Sequence, residues 1–277
     1  MRILTGVLTA GTVLAASACG VNVSGSGASH EDRSYEVPRG QLGKLSLVLD
    51  FSPATIVGTD TTKIVVHEHL TYTKNRKPIP HHTVAGGQLT LGYSCPRGFN
   101  IGFNQCTVGY RIELPRAMAI QVGNDSAGLT LAGLAGEINA SADSGRIDVT
   151  DYRGAKATLS ADSGSISIQG TGDNPVLNLH ADSGSIRADG VRGGRFTAGV
   201  DSGSVRAAFT TPPSLVDVGV SSGSTYLTLP KTVPYDIQTT TDSGSKDIDP
   251  ALHNDNSASS KVKLRADSGS IHVDAAS

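Results

Sequence analysis

The stretch Leu177-Asn178-Leu179-His180-Ala181-Asp182-Ser183-Gly184-Ser185-Ile186-Arg187-Ala188-Asp189 decides the fold. Leu177, Leu179 and Ala181 alternate with polar residues up to Asp182, and Ile186 and Ala188 alternate after it. Period-two alternation marks a strand with one buried face. The parity of the apolar positions flips between Ala181 and Ile186, which a straight strand cannot do. The chain must bend inside Asp182-Ser183-Gly184-Ser185, where glycine frees the backbone.

The same phrase recurs along the chain. Asp-Ser-Ala-Gly starts at Asp125, and Asp-Ser-Gly-Arg at Asp143. Asp-Ser-Gly-Ser starts at Asp162, Asp182, Asp201, Asp242 and Asp267, and Ser-Ser-Gly-Ser at Ser221. The steps are 18, 19, 20, 19, 20, 21 and 25 residues. A drifting period near twenty marks a solenoid. Four and six residues after most starts stand aliphatic residues, such as Ile147 and Val149, or Ile166 and Ile168. Each repeat therefore reads as two short strands. A second corner of variable length, as at residues 151–154 or 190–194, explains the drift. The expectation is an all-β protein: a parallel β-solenoid of about eight two-strand coils over residues 125–277. Stacked at the inter-strand spacing, eight coils make a rod about 35–40 Å long. The longest step, between Asp242 and Asp267, predicts a protruding loop over residues 249–260. Lys246, at an inward position, weakens that coil.

Residues 44–50, 55–59, 63–73, 88–95, 106–114 and 119–122 are rich in β-branched and apolar residues, most with some alternation. They read as strands of a less regular β region over residues 37–124. This region continues into the repeats and caps the open N-terminal edge. Composition agrees with such a structure. The 277 residues include 33 Gly, no Trp and only 4 % aromatics, because a two-strand coil encloses little volume. The net charge of −2 supplies no basic surplus, so nucleic acid is not an expected partner.

Met1-Arg2 followed by an apolar small-residue run reads as a signal peptide over residues 1–18. The run ends Ala16-Ser17-Ala18-Cys19-Gly20, which resembles the lipobox of bacterial lipoproteins. That resemblance implies lipid on Cys19, a membrane anchor and an extracytoplasmic mature chain. Acyl chains anchor by burying methylenes, at about 0.8 kcal/mol each. Residues 19–36 then read as the lipidated cysteine and a flexible Gly/Ser-rich tether. Cys95 and Cys106, an even pair in an exported chain, predict a disulfide closing a Gly- and Asn-rich loop.

Ile112-Glu113-Leu114-Pro115, Gln121-Val122, Asp125-Ser126 and Leu129-Thr130-Leu131-Ala132-Gly133-Leu134-Ala135-Gly136 together resemble the "putative adhesin" family of bacterial envelope proteins. Ala127 stands where that family has its first corner glycine. The resemblance spans roughly residues 40–277. It implies a parallel β-solenoid at the cell surface and brings no catalytic residues with it.

Two constellations could hold a metal. Asp125, Asp143, Asp162, Asp182, Asp201, Asp242 and Asp267 would stack into a carboxylate ladder able to take Ca²⁺. Alternatively, each Asp accepts backbone N–H bonds at its own corner, a reading that Ser221 favours. His67 and His69 flank Glu68 on one strand and share a face, with His81 and His82 expected in a nearby loop, an arrangement that could bind Zn²⁺. The other reading is a solvated polar strand. No cofactor is otherwise implied. A serine nucleophile is unique in a site, whereas this Ser recurs on a structural period. Asp148, Asp151, Asp173 and Asp189 supply carboxylates for a polysaccharide-degrading enzyme, and the alternative is plain solvation. Outward Ser165, Ser167, Arg187, Asp189, Arg206, Thr228 and His272 give a polar face without aromatics, which disfavours sugar stacking there. The functional expectation is a lipid-anchored adhesin-like binding or scaffold protein without catalysis. It would bind envelope polysaccharide or a surface protein. Its first rival is an envelope-assembly or stress accessory protein that binds a membrane partner.

Overall fold

The computed structural model describes residues 21–23, 27–73, 76–96 and 105–276. The signal segment and Cys19 lie outside the described residues.

Every corner joins a leading strand, with its apolar residues at odd spacing before the turn, to a trailing strand with its apolar residues on the opposite parity. Successive leading strands pair in parallel, as do successive trailing ones. Ile138 lies beside Ala157 and Ile147 beside Ile166. The two faces bury their inward rows against each other. The core so formed is thin and rich in alanine. Ala140, Ala157, Ala181, Ala188 and Ala207 are at most 1 % exposed, beside Ile147, Leu159 and Ile186. Phe196 and Phe209 meet edge-to-face across this core, with centroids 5.8 Å apart.

The corners are held by main-chain bonds between coils. Ser144 N–H donates to Asp125 O at 2.7 Å, Ser163 N–H to Asp143 O at 2.6 Å, and Ser183 N–H to Asp162 O at 2.7 Å. The glycines form a column. A Cβ at Gly164 would lie 1.8 Å from Gly145 O, and one at Gly184 would lie 1.7 Å from Gly164 O. The column continues through Gly203, Gly223, Gly269 and Gly244 at 1.6–1.7 Å. Glycine is needed here because each Cα faces the carbonyl beneath it, close enough for a Cα–H···O contact. Four of these residues also have left-handed φ between 140° and 154°. Ala127 starts the column, and the buried Asn124 amide bonds its carbonyl and N–H.

The solenoid has ten such coils among the described residues, about 43 Å of stacking. Eight use the Asp-Ser-Gly corners. The other two lie in the N-terminal region. One joins Lys44–Leu49 to Ala54–Thr59 through Asp50-Phe51-Ser52-Pro53. The other joins Gln88–Ser94 to Cys106–Pro115 through the disulfide corner. Four further strands run antiparallel and extend the N-terminal edge. Ile79–Ala85 pairs with Gln88–Ser94 on the leading face. Lys63–Thr73 pairs with Cys106–Pro115 on the trailing face, followed by Ala28–Pro38 and Val21–Val23.

Residues 28–36, expected as tether, are therefore strand. The reason is that Glu31, Arg33, Tyr35 and Val37 alternate onto the inner side opposite Leu70, Glu68, Val66 and Ile64. Glu31 and Val37 are buried there.

At both ends, order in space differs from order in the chain. The coil at 44–59 sits between that at 88–115 and that beginning at Ala119. Likewise Ser260–Ser268 and Ile271–Ala275 pair with Leu215–Leu229 on one side. On their other side lie Tyr235–Ser243 and Lys246–Ile248. The penultimate coil in the chain is thus the last in space. Residues 249–259 carry the chain back over that end rather than protruding. Leu252 and Ala258 are 5 % and 6 % exposed, and Asp255 N–H bonds Tyr235 O. Lys246 occupies the inward row of the terminal coil, where its ammonium donates to Thr239 O at 2.9 Å.

Candidate functional site

Inner rows are closed to solvent, so any ligand must meet the outer rows, the corners or the ends. The Asp column along the corner edge is exposed at Asp125, Asp143, Asp162, Asp182, Asp201, Asp242 and Asp267. Asp50 extends it by one coil, since Ser126 N–H bonds Asp50 O. The sequence reading missed this corner because it has Phe51-Ser52 instead of Ser-Gly. Asp182 pairs with His180 Nε2 at 2.8 Å. Among the described residues no group of three or more His, Cys, Asp or Glu converges to hold a metal.

His67 and His69 point outward from Lys63–Thr73, on one side, in an open groove of about 460 Å³. Gly109 forms part of its floor, and Asp32, Arg111 and Thr55 border it. His69 Nδ1 lies 2.5 Å from Asp32 Oδ1, and its ring stacks on His30 at 5.4 Å. His81 and His82 lie elsewhere, on the strand Ile79–Ala85 rather than in a loop, because that segment pairs antiparallel with Gln88–Ser94; His82 stacks on Tyr35 at 5.1 Å. The structure thus places His67 and His69 together and leaves His81 and His82 on the other face.

Beneath that groove the interior is polar. The buried Glu68 carboxylate accepts from Tyr35 Oη at 3.0 Å. Burial raises the Glu68 pKa above the usual carboxylate range. Burial likewise pushes the phenols of Tyr35 and Tyr110 well up. Glu31 goes the other way, because bonds from Lys77 and Arg33 favour its charged form. Cys95 and Cys106 are joined, with their Cα atoms 6.1 Å apart.

Of the four carboxylates considered for hydrolysis, Asp148 and Asp189 lie on the outer trailing face, and Asp151 and Asp173 at the second corner. Asp151 pairs with Arg153 at 2.9 Å, Asp173 with Arg192 at 2.7 Å and Asp189 with Arg187 at 2.5 Å. Asp148 stands in a row between Thr130 and Ser167. They face different neighbours and form no acid/base pair. The outer trailing face does carry an aromatic. Tyr226 is outward, stacked on His272 at 5.1 Å and covered by the Arg206 guanidinium at 4.9 Å. The face was expected to lack aromatics. Its one tyrosine is sandwiched, so neither ring face is open to a sugar.

The outer leading face carries a hydrogen-bonding row: Gln121, Asn139, Thr158, Asn178, Thr197 and Asp217, one per coil. In the neighbouring row, His180 is followed by Gly199, Gly219 and Arg265. The two missing side chains open a trough of about 440 Å³.

The family model described as Toastrack DUF4097 matches residues 45–277. The chain belongs to this family. No curated protein matches it. Among solved structures, one described as a "putative adhesin" from Bacteroides fragilis has a TM-score of 0.50 at 14 % identity, covering 88 % of this chain and 97 % of that one. A "putative cell adhesion protein" from Clostridium sporogenes is 14 % identical over 89 % of this chain and all of that one, with a TM-score of 0.26. A "putative lipid binding protein" from Parabacteroides distasonis is 11 % identical over 89 % and 97 %, with a TM-score of 0.38. At these identities the first likeness establishes a shared Toastrack fold and the others add no argument. Among the described residues no helix is long and apolar enough to cross a membrane.

Proposed function

We infer that this Toastrack chain is a lipid-anchored, extracytoplasmic binding or scaffold protein of adhesin-like type that performs no catalysis. The observation that carries the reading is the pair of long outer faces on a rigid rod. Their charged groups are largely paired with one another, and no described carboxylates are set as acid and base. A repeat surface of this kind binds by many weak contacts in a line rather than by one deep pocket. The joined Cys95 and Cys106 support an oxidising compartment, and Ala16-Ser17-Ala18-Cys19 supports the anchor. The description of the Bacteroides fragilis structure as a "putative adhesin" agrees with this role.

The test is co-sedimentation of the full chain with purified cell wall and, separately, with intact cells, with and without EDTA. Saturable binding supports the reading, and loss with EDTA assigns a metal to the Asp column or the His67 and His69 groove. Absence of binding in all arms overturns it in favour of a membrane-protein partner, to be sought by cross-linking. The anchor is tested by acyl labelling of Cys19→Ala, which should abolish the label.

A further inference from the structure

We propose that the trough on the outer leading face, floored by Gly199 and Gly219, is a glycan subsite that holds an extended saccharide chain along the solenoid axis. This deepens the surface-binding reading above and rests on it.

The argument starts from what glycine is for. At the corners it is compulsory, because a Cβ would lie within 2 Å of a carbonyl. At Gly219 a Cβ would meet nothing within 4 Å, and at Gly199 its nearest neighbour is the His180 ring, at 3.2 Å. Neither residue has left-handed φ. Both lie within strands, where glycine weakens the sheet and any β-branched residue would be preferred. At Gly219, therefore, neither backbone nor packing calls for glycine, and at Gly199 only the His180 ring would have to give way. What the two glycines provide is open space, and glycine in a strand interior often marks close approach by a ligand.

The walls identify the ligand class. His180 stands at one end of the floor, its ring fixed by Asp182 at 2.8 Å. Arg265 stands at the other, 3.7 Å from Asp217. Three coil steps separate them, about 14 Å. Along one side run Asn178, Thr197 and Asp217, with Thr158 before them. This array offers both donors and acceptors, and its charged groups are paired, His180 with Asp182 and Arg265 with Asp217. A lipid chain would find no apolar side chain in these rows. A peptide strand would find no free main-chain edge, since every strand here is paired on both sides. A polyhydroxylated chain matches: its hydroxyls bond both ways, and one pyranose unit is comparable in length to one coil step. Without an aromatic platform each unit binds weakly, so affinity must grow with chain length.

The test uses the full chain on an array of neutral and uronate-bearing oligosaccharides, followed by calorimetric titration of the best ligand at increasing length. Gly219→Val should leave the melting temperature unchanged or higher and weaken binding at least tenfold. Asn178→Ala should weaken it several-fold. Gly128→Val is the matched control, since Gly128 also has open space and no left-handed φ, away from the trough. It should change nothing. Glycan binding that survives Gly219→Val overturns the site. No glycan binding on the array, with cell-wall co-sedimentation intact, overturns the inference and leaves the surface-binding reading standing. Failure of both assays overturns that reading as well.

Discussion

The central coils and the N-terminal end are built by opposite means. From Asp125 to Leu229 the interior is almost wholly apolar, and the coils are registered by main-chain bonds and the glycine column. At the N-terminal end the coils lack that column. Their interior holds two carboxylates, Glu31 and Glu68, with Tyr35 and Tyr110, and a disulfide closes their corner. A repeating backbone column suffices where every coil has a neighbour on both sides. Where stacking stops, the core must meet water, and side-chain polarity takes over.

The largest effect should come from breaking the column. Gly184→Val places a branched side chain where even a Cβ lies 1.7 Å from Gly164 O, a backbone atom that cannot move aside alone. Overpacking of this kind costs about 3 kcal/mol or more. Chemical denaturation should show that loss. A variant as stable as the parent would mean the corner can open, and that the column is not what registers the coils.

Next comes the N-terminal corner. Replacing both Cys95 and Cys106 by serine frees a loop of 11-residue separation and should cost about 2–3 kcal/mol. The loss should show as earlier melting of the N-terminal end by hydrogen exchange, while amides near Gly203 keep their protection. Equal deprotection of both regions would show that end and centre unfold as one unit.

The polar interior gives a pH signature. Burial raises the folded pKa of Glu68. Its contribution to stability is therefore full below the unfolded carboxylate value, about 4.3, and is lost as pH rises through the folded value. Glu31, lowered chiefly by its bond from Lys77, has the reverse sign. Its contribution is present above the unfolded value and lost as pH falls through the folded one. Glu68→Gln should raise stability at neutral pH and flatten the decline between mildly acidic and neutral conditions. An unchanged pH profile would mean that Glu68 titrates as if in water.

The sequence made the centre legible and the ends much less so, for a physical reason. Seven of the eight corners repeat the same steric demand on one glycine, and the eighth, at Ala127, is the base on which the column stands. The corner at Asp50 escaped notice because it carries Phe51-Ser52 in place of Ser-Gly, and Asn124 rather than a glycine contact arranges the turn. Coil order at the ends was invisible, since a period reports neighbours along the chain, not in space. One trace of it was present. The step of 25 between Asp242 and Asp267 is the longest of the repeat because the chain must cross its own end and insert the last coil beneath the previous one. Among site residues, the shared face of His67 and His69 was legible from alternation. The trough was not, because a strand glycine looks alike in sequence whether it is compulsory or merely leaves room.

The smallest effect on stability belongs to Lys246. In an inner coil a lysine facing the core would be severely destabilising. In the terminal coil its stem lies over the last inward row and its ammonium reaches Thr239 O. Its own strand, Lys246–Ile248, is a free edge of parallel sheet, a surface that invites further pairing. An inward-facing charge at such an edge resists addition of another coil. Lys246→Ile should therefore change stability by less than about 1 kcal/mol and yet raise the fraction of dimers and larger assemblies in light scattering. The same end should respond at the penultimate coil in the opposite way. There Ile271, fully buried beside Lys246, takes its place in a closed core. Ile271→Lys should unfold the C-terminal end rather than alter assembly, because a charge that guards an edge has no water to reach one coil further in.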